Sequence, residues 1–154
     1  MKTEAEIIIR PMREVDILAV IEIEKESFTT PWTFHAFRLE LKNRLAVYLV
    51  AEADDRVAAY GGMWLILDEA HVTNVAVHPD FREQRVGQRI MEALIEEARS
   101  RSLLRMTLEV RKNNDPAIQL YKKLNFLMAG IRPGYYQDTG EDALIMWKEL
   151  TRLP

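Results

Sequence analysis

The sequence predicts a mixed α/β protein in which helices pack on a single sheet. Two observations carry this prediction: strand patterns cluster in the middle of the chain, and strands alternate with helices in its second half. The size agrees, because 154 residues, of which 48% are hydrophobic, suffice for one domain, 1–154, with a core of its own.

The first half of the chain is predicted to contain four strands and two helices. The strands, recognised by alternation and flanking turn residues, are expected at 6–10, 45–53, 56–67 and 69–77. The first helix spans 13–28, where Val15 and Leu18 are spaced for a face directed into the core. A second, shorter helix follows the sequence TTPW at 33–42.

The clearest helix of the second half is predicted at 86–101. Its apolar residues recur every four positions, at Val86, Ile90, Leu94 and Ala98. The strand that follows, at 104–110, alternates between an apolar and a polar face. Its polar face is expected to carry Arg105, Thr107 and Glu109.

The last part of the chain contains a capped helix and two strands. Asn114 precedes Asp115 and Pro116, and a capping side chain followed by proline is typical of a helix start. That helix is expected to run to about residue 124. The strands are predicted at 126–136 and 142–148.

Composition excludes several classes of protein. The chain has no cysteine, so a disulfide scaffold, a thiolate metal site and a cysteine nucleophile are ruled out. A net charge of -3 argues against a nucleic-acid binder that acts through bulk electrostatics. No apolar stretch has the ~20 residues of a membrane helix. The N-terminal sequence MKTEAEIIIRPM has a run of only three isoleucines, which is too short for the apolar core of a signal peptide. We expect a cytoplasmic protein with neither nucleic acid nor membrane as partner.

The stretch VHPDFREQRVGQRI, residues 77–90, joins a predicted strand to a predicted helix. A helix start offers N–H groups and partial positive charge to an anion, and Gly87 would let the backbone approach a ligand closely. Three arginines, Arg82, Arg85 and Arg89, would add charge toward a pyrophosphate. The alternative is a solvated basic turn, and by itself the stretch favours the turn.

Other candidate residues have structural explanations beside chemical ones. Glu109 is either the solvent-facing partner of a neighbour such as Arg105 or Arg111, or a general base, and Asn114 suits a turn or cap. Tyr121 shares a helix face with Ile118 and Leu124, which is more typical of a core residue. Three aromatic residues in predicted connections either cover a sheet edge or line a pocket: Trp32, Tyr135 and Tyr136. No metal site is expected, because metal-ligand spacing is absent from His35, His71 and His78.

The order and spacing of these signals are more specific than any one of them. The chain resembles the GNAT superfamily of acyl-CoA-dependent N-acyltransferases in NVAVHPDFREQRVGQRIMEALIEEA and the later MTLEVRKNNDPAIQLYKKLNF. It resembles more narrowly the ribosomal-protein-alanine N-acetyltransferases in EAHVTNVAVHPDFR, LEVRKNNDPAIQLYKKLNF and YYQDTGEDALIMWKEL. The resemblance covers nearly the whole chain. It implies a single mixed, largely antiparallel central sheet flanked by helices, the GNAT-type fold.

The resemblance also implies a role for each candidate residue. Acetyl-CoA would be bound by Val75, Ala76, Val77, Arg82, Glu83, Gln84, Arg85, Val86, Gly87, Gln88, Asn114 and Tyr121. Glu109 matches the general base of the family and Tyr121 its general acid. The family pattern Arg/Gln-x-x-Gly-x-Gly/Ala has glycine where this chain has Arg85, so the backbone path at residue 85 is left open.

The predicted acid–base pair makes chemical sense. An N-terminal α-amine has a pKa near ~8, so its deprotonation at pH 7 costs only about 1 kcal/mol, against about 4.6 kcal/mol for a lysine amine. A carboxylate acting directly or through one water is adequate for the α-amine. A tyrosine is protonated at pH 7 and can donate to the departing thiolate. Without cysteine, direct transfer in a ternary complex is favoured over a thioester-enzyme relay.

The acceptor implied by the resemblance is the N-terminus of a ribosomal protein that begins with a small residue. Trp32, Tyr135 and Tyr136 would limit the size of its first side chain. Four acidic residues would either attract a basic peptide or merely form an acidic surface: Asp68, Glu69, Glu141 and Asp142. Two alternatives stay open. One is an enzyme for a small amine such as a polyamine, amino acid or antibiotic; the other is a non-catalytic acetyl-CoA sensor, which would need neither Glu109 nor Tyr121. We expect a monomer or a weak dimer.

Overall fold

The computed structural model describes residues 6–150. The strands are β1 (Ile7–Pro11), β2 (Ala46–Ala53), β3 (Arg56–Ile66), β4 (Glu69–Val77), β5 (Arg105–Arg111), β6 (Leu127–Tyr136) and β7 (Glu141–Glu149). The α-helices are α1 (Ile17–Ser27), α2 (Phe34–Leu41), α3 (Val86–Ser100) and α4 (Asp115–Lys123). The predicted elements are all present, with bounds that differ by a few residues at most, apart from the start of the first helix.

The seven strands form one sheet in the order β1-β2-β3-β4-β5-β7-β6. β4 and β5 pair in parallel, through Glu69–His71 and Arg105–Thr107. Antiparallel pairing joins β1 to β2, β2 to β3, β5 to β7 and β6 to β7. The mixed, largely antiparallel sheet flanked by helices is therefore confirmed. None of the helices between residues 6 and 150 is long and apolar enough to cross a membrane.

The prediction for the first helix was wrong in its start and in its buried face. A short 3-10 turn, Glu14–Asp16, precedes α1. Val15 and Leu18, expected inside, are 79% and 70% exposed. A 3-10 turn advances three residues per turn, so an α-helical period extended through it assigns the wrong face. The residues buried from α1 are Ile17, Val20, Ile23 and Glu24.

The described residues divide into two compact units. The first contains 6–64 and 73–94, and the second contains 65–72 and 95–150. That 1–154 forms a single domain stays a prediction.

The core of the first unit is built around three aromatic rings. Phe37 makes edge-to-face contacts with Tyr48 and Tyr60, at centroid distances of 6.5 and 5.8 Å. Two adjacent glycines of β3 permit close packing here. A Cβ on Gly62 would overlap the ring of Tyr48, and one on Gly61 would lie 2.6 Å from Cγ2 of Ile90 on α3.

The second unit has β5 at its centre. Met106, Leu108 and Val110 are buried as their alternation predicted. The opposite face is less polar than expected, because Thr107 is also buried and donates its hydroxyl to the Met146 carbonyl oxygen at 3.1 Å. A strand paired on both sides and covered on both faces buries polar residues whose hydrogen bonds can be satisfied locally.

Candidate functional site

The predicted cofactor segment of the first unit runs from the end of β4 into α3. Ala76 is buried, whereas Val75 and Val77 are partly exposed. His78 continues the strand by donating its N–H to the Ala58 carbonyl oxygen at 2.8 Å, and a short turn with buried Phe81 follows. α3 begins at Val86, so the N–H groups of its first turn, which lack intrahelical acceptors, lie in the predicted pyrophosphate loop.

The sequence left the backbone path at residue 85 undecided, and the structure shows a left-handed conformation there. Arg85 has φ 62° and Glu83 has φ 63°, both in the left-handed region. Arg85 therefore adopts the conformation for which glycine is preferred, although it carries a side chain. Non-glycine residues take this conformation at a cost of roughly 1–2 kcal/mol.

The three arginines of the loop differ in what they contact. Arg82 donates from Nε to the Val77 carbonyl oxygen at 3.3 Å, and Arg89 donates to the Ile7 carbonyl oxygen at 3.4 Å. The guanidinium of Arg85 is exposed and forms no ion pair with a residue between 6 and 150. A bond to a neutral carbonyl leaves the charge of an arginine in place, so all three guanidinium charges are available to an external anion, and Arg85 differs in making neither of these backbone contacts.

The predicted base lies in the second unit. Glu109 is on β5, opposite Ile145 of β7, and its side chain is 27% exposed. Its Oε1 atom lies 3.9 Å from Nη2 of Arg132 on β6. The carboxylate is thus partly exposed, as a general base that must reach an amine or a bridging water requires, and it has a cationic neighbour in Arg132.

The predicted acid, Tyr121, lies on α4. Its ring is partly exposed and makes an edge contact with Phe126, at a centroid distance of 5.8 Å. Burial of the hydroxyl raises the pKa of Tyr121 to about 12, with a smaller contribution from Tyr136. Asn114 caps α4, because its Oδ1 accepts the N–H of Ala117 at 3.3 Å, which confirms the cap prediction.

Tyr135 and Tyr136 end β6 with their rings 5.0 Å apart, nearly perpendicular. Tyr135 is 44% exposed and lies under Arg132, 5.8 Å from the guanidinium carbon. Burial raises the pKa of Tyr136 to about 12, Arg111 opposes this, and the charge of Glu109 adds to it. Glu109, Arg132 and the two tyrosines therefore form one group of interacting side chains.

Trp32 belongs to the edge of the first unit's core. Its ring lies 5.2 Å from Phe37 and 6.3 Å from Tyr48. Its backbone N–H donates to Glu24. Covering the core is thus the structural role of Trp32, and contact with an acceptor stays a prediction.

The four acidic residues expected near the acceptor are largely engaged within the protein. Glu69 lies 3.2 Å from His71 and 3.9 Å from Arg105. Glu141 pairs with Arg111, and Asp142 accepts the N–H of Gly134. These contacts favour the interpretation as an ordinary charged surface. No group of three or more histidine, aspartate and glutamate side chains suited to a metal occurs within residues 6–150.

The predicted site residues fall into the two units. The first contains Trp32, the strand end 75–77 and the loop 82–88. The second contains Glu109, Asn114, Tyr121, Tyr135 and Tyr136. Two charged residues attached to these candidates, Glu24 and Arg132, were not predicted from the sequence, and Arg111 was considered only as a partner for Glu109, whose ion pair is with Arg132 instead. Only Glu24 gave a local signal, since it lies four residues after Val20 on the buried face of α1.

Comparison with known proteins gives consistent matches. The sequence model of the acetyltransferase (GNAT) family matches residues 17–126. A Bacillus subtilis protein, provisionally assigned as a ribosomal protein bS18-alanine N-acetyltransferase, is 47% identical over 148 residues, 96% of this chain and 97% of that protein. The Salmonella typhimurium ribosomal protein bS18-alanine N-acetyltransferase is 39% identical over 133 residues, 85% of this chain and 89% of the enzyme. The crystal structure of the Escherichia coli ribosomal-protein-S18-alanine N-acetyltransferase superposes with a TM-score of 0.88 at 32% identity, covering 97% of both chains.

Proposed function

Because the chain belongs to the acetyltransferase (GNAT) family, we propose that it transfers the acetyl group of acetyl-CoA to the N-terminal α-amine of an alanine-first ribosomal protein. The observation that carries the proposal is similarity over nearly the full length of relatives named for this reaction on bS18. The GNAT enzymes as a family use acetyl-CoA, and the loop before α3 has the features that such a ligand needs.

The loop before α3 binds the pyrophosphate of acetyl-CoA in this proposal. The start of α3 supplies N–H groups and partial positive charge, and Arg82, Arg85 and Arg89 supply positive charge that no carboxylate of residues 6–150 pairs with. The strand end 75–77 pairs with the pantetheine arm, and Asn114 adds a contact. A backbone N–H of Val75 or Val77 stabilises the oxyanion as the thioester carbonyl is attacked.

Glu109 accepts a proton from the attacking α-amine, directly or through one water. The amine nitrogen forms a bond to the acetyl carbon while the carbon–sulfur bond breaks. An α-amine needs only about 1 kcal/mol for deprotonation at pH 7, so a carboxylate beside Arg132 is a sufficient base. The proton then passes from Glu109 to solvent.

Tyr121 donates the proton that the leaving thiolate takes up. With a pKa raised to about 12, the phenol is fully protonated at neutral pH. Complete transfer to a free thiolate of pKa ~8.5 would be uphill by about 5 kcal/mol. Tyr121 therefore acts by hydrogen-bonding the sulfur as negative charge develops, with proton transfer completed as the thiol departs. The phenolate recovers its proton from solvent.

The acceptor's first side chain is limited by Trp32, Tyr135 and Tyr136. The chemistry favours an α-amine over a lysine amine, since the latter costs about 4.6 kcal/mol to deprotonate. The partly exposed carboxylate of Glu109 and the exposed ring of Tyr135 both lie next to Arg132, an arrangement that suits a peptide end.

The test is CoA release by purified protein with three acceptors. These are a peptide with the N-terminal sequence of bS18, the same peptide with its α-amine acetylated beforehand, and spermidine. We expect turnover with the first alone. Turnover with spermidine but not with the free peptide would overturn the proposal in favour of a small-amine enzyme. Acetyl-CoA binding without turnover on any acceptor would favour a sensor. Mass spectrometry of ribosomal protein N-termini, with and without the gene, identifies the natural acceptor.

A further inference from the structure

Arg111 is the last residue of β5, two positions after Glu109, so both side chains project from the same face of that strand. Its guanidinium contacts the turn between β6 and β7 with two nitrogens. Nη2 lies 2.9 Å from Oδ2 of Asp138, and Nη1 donates to Glu141 at 3.3 Å and to Thr139 at 3.2 Å.

The same guanidinium lies over the ring of Tyr136, with its central carbon 4.0 Å from the ring centroid. Tyr136 is paired with Glu141 in the strand register, and its carbonyl oxygen accepts the N–H of Gly140 at 2.7 Å. One side chain of β5 therefore holds both arms of the turn, the ring on one arm and the carboxylate on the other.

We propose that Arg111 is a positioning residue for the acceptor, which fixes the ring of Tyr136 beside Glu109 by clamping the turn 136–141. This inference rests on the proposed function. The acceptor N-terminus must reach Glu109 with its amine aligned, and a misplacement of about 1 Å costs up to about 100-fold in rate. The backbone pairing of Tyr136 with Glu141 holds the turn but not the ring, and the ring contact of Arg111 supplies that restraint.

The chemistry of the contacts explains why arginine suits this position. A guanidinium is planar and offers donors in a fixed fork, so it can bind two carboxylates at its edge while its face covers a ring. Lysine would retain the charge but lose the fork and the stacking plane. Arg111 is 29% exposed and its donors face the turn, so we assign it no direct contact with the acceptor.

Arg105 provides a matched control on the same strand and face. Its guanidinium carbon lies 5.8 Å from the ring of Trp147, and its nitrogens are 3.9 and 4.0 Å from Glu69 and Glu149. It therefore combines ring and carboxylate contacts as Arg111 does, with none of its partners in the turn 136–141.

The experiment compares Arg111→Gln, Arg111→Lys and Arg105→Gln in the full-length protein. For a bS18-type peptide, we expect Arg111→Gln to lower kcat/KM by about tenfold or more, with acetyl-CoA affinity within about twofold of wild type. The kcat/KM of Arg111→Lys should lie between those of wild type and Arg111→Gln, and Arg105→Gln should leave kcat/KM within about twofold of wild type. Equal effects of the two glutamine variants on kcat/KM would overturn the proposal, since Arg111 would then be only structural.

Hydrogen exchange of the Gly140 amide tests the clamp without any activity measurement. Exchange should be faster in both Arg111 variants than in wild type and in Arg105→Gln. Unchanged exchange in Arg111→Lys and Arg111→Gln would also overturn the proposal. If Arg111→Gln does not fold, Arg111→Lys and Asp138→Asn carry both measurements. A wild-type protein inactive on the peptide would defeat the proposed function, whereas the exchange measurement would still decide the clamp.

Discussion

The backbone N–H of Trp32 donates a hydrogen bond to a carboxylate oxygen of Glu24, with 2.7 Å between the two atoms. Glu24 is only 2% exposed, and the same carboxylate accepts the hydroxyl of Tyr60 and, at 3.5 Å, the side-chain amide of Asn74. A buried carboxylate on α1 therefore holds the connection to α2, together with the tryptophan predicted to meet the acceptor.

Glu24→Gln should lower the free energy of unfolding by about 2–3 kcal/mol. The carboxylate accepts hydrogen bonds on both oxygens, so an amide would direct an NH2 group at one of the donors and leave it unsatisfied. Urea denaturation measures the change. Glu22→Gln, exposed on the same helix, is the control and should stay within about 0.5 kcal/mol of wild type. Equal stability of the two variants would contradict a structural role for Glu24.

Replacing Arg85 by glycine and by alanine separates its backbone from its charge. Both changes remove the guanidinium, and we expect both to weaken acetyl-CoA binding several-fold, as measured by calorimetry. Only glycine relieves the left-handed φ of 62°, so Arg85→Gly should be more stable than Arg85→Ala by about 1 kcal/mol. Unchanged acetyl-CoA affinity in both variants would mean that Arg85 does not contact the phosphates.

The rate should rise with pH and show no loss on the alkaline side up to about pH 10. The α-amine must be neutral, so kcat/KM increases through its pKa near ~8. Tyr121 must be protonated to act as the acid. Because its pKa is raised to about 12, it stays protonated at pH values where an ordinary tyrosine would begin to ionise. Tyr121→Phe should lower kcat by about 100-fold or more and leave the acidic limb in place. A decline in kcat/KM already at about pH 9 would count against Tyr121 as the acid.

Asp16 should make stability depend on pH in acid. Arg10 donates to both carboxylate oxygens of Asp16, at 2.7 and 2.8 Å, and this pairing lowers the pKa of Asp16 although burial opposes it. The stabilisation is therefore complete above the unfolded pKa of ~3.9 and is lost as pH falls through the lower folded value.

We expect Asp16→Asn to lower the free energy of unfolding by about 3 kcal/mol at pH 7, because the partly buried Arg10 loses its closest anionic partner. The difference from wild type should shrink below about pH 4. Glu14→Gln is the control, since its pair with Arg38 is exposed and should contribute less than about 1 kcal/mol. Denaturant titrations at pH 7 and in acid measure both variants. A gap between Asp16→Asn and wild type that is constant with pH would show that the pairing is not what Asp16 contributes.

Local sequence patterns predicted much of the secondary structure. The four-residue recurrence from Val86 to Ala98 identified α3, and the Asn114 cap with the following proline identified the start of α4. Both signals depend on residues within four positions of one another, so the amino-acid sequence contains them completely. The candidate base and acid, Glu109 and Tyr121, came from the family resemblance and not from their local context.

The charged residues attached to the site could not be found in the same way. Arg111 forms a hydrogen bond with Asp138, which lies 27 residues away in the sequence, and Glu24 forms one with Tyr60, 36 residues away. Such contacts exist only after distant elements have packed together, and the same holds for the burial of Thr107. The exposure of Val15 follows from the 3-10 turn before α1, which an α-helical period does not predict.

Periodicity and capping are thus properties of the chain read along its length, because neighbouring residues impose them through backbone geometry, and the family resemblance is read from the order of motifs along the same sequence. The left-handed backbone at Arg85, the buried carboxylate of Glu24 and the clamp of Arg111 on Tyr136 depend on the folded protein. Each is set by which distant residues pack beside it, and that is determined by the tertiary fold.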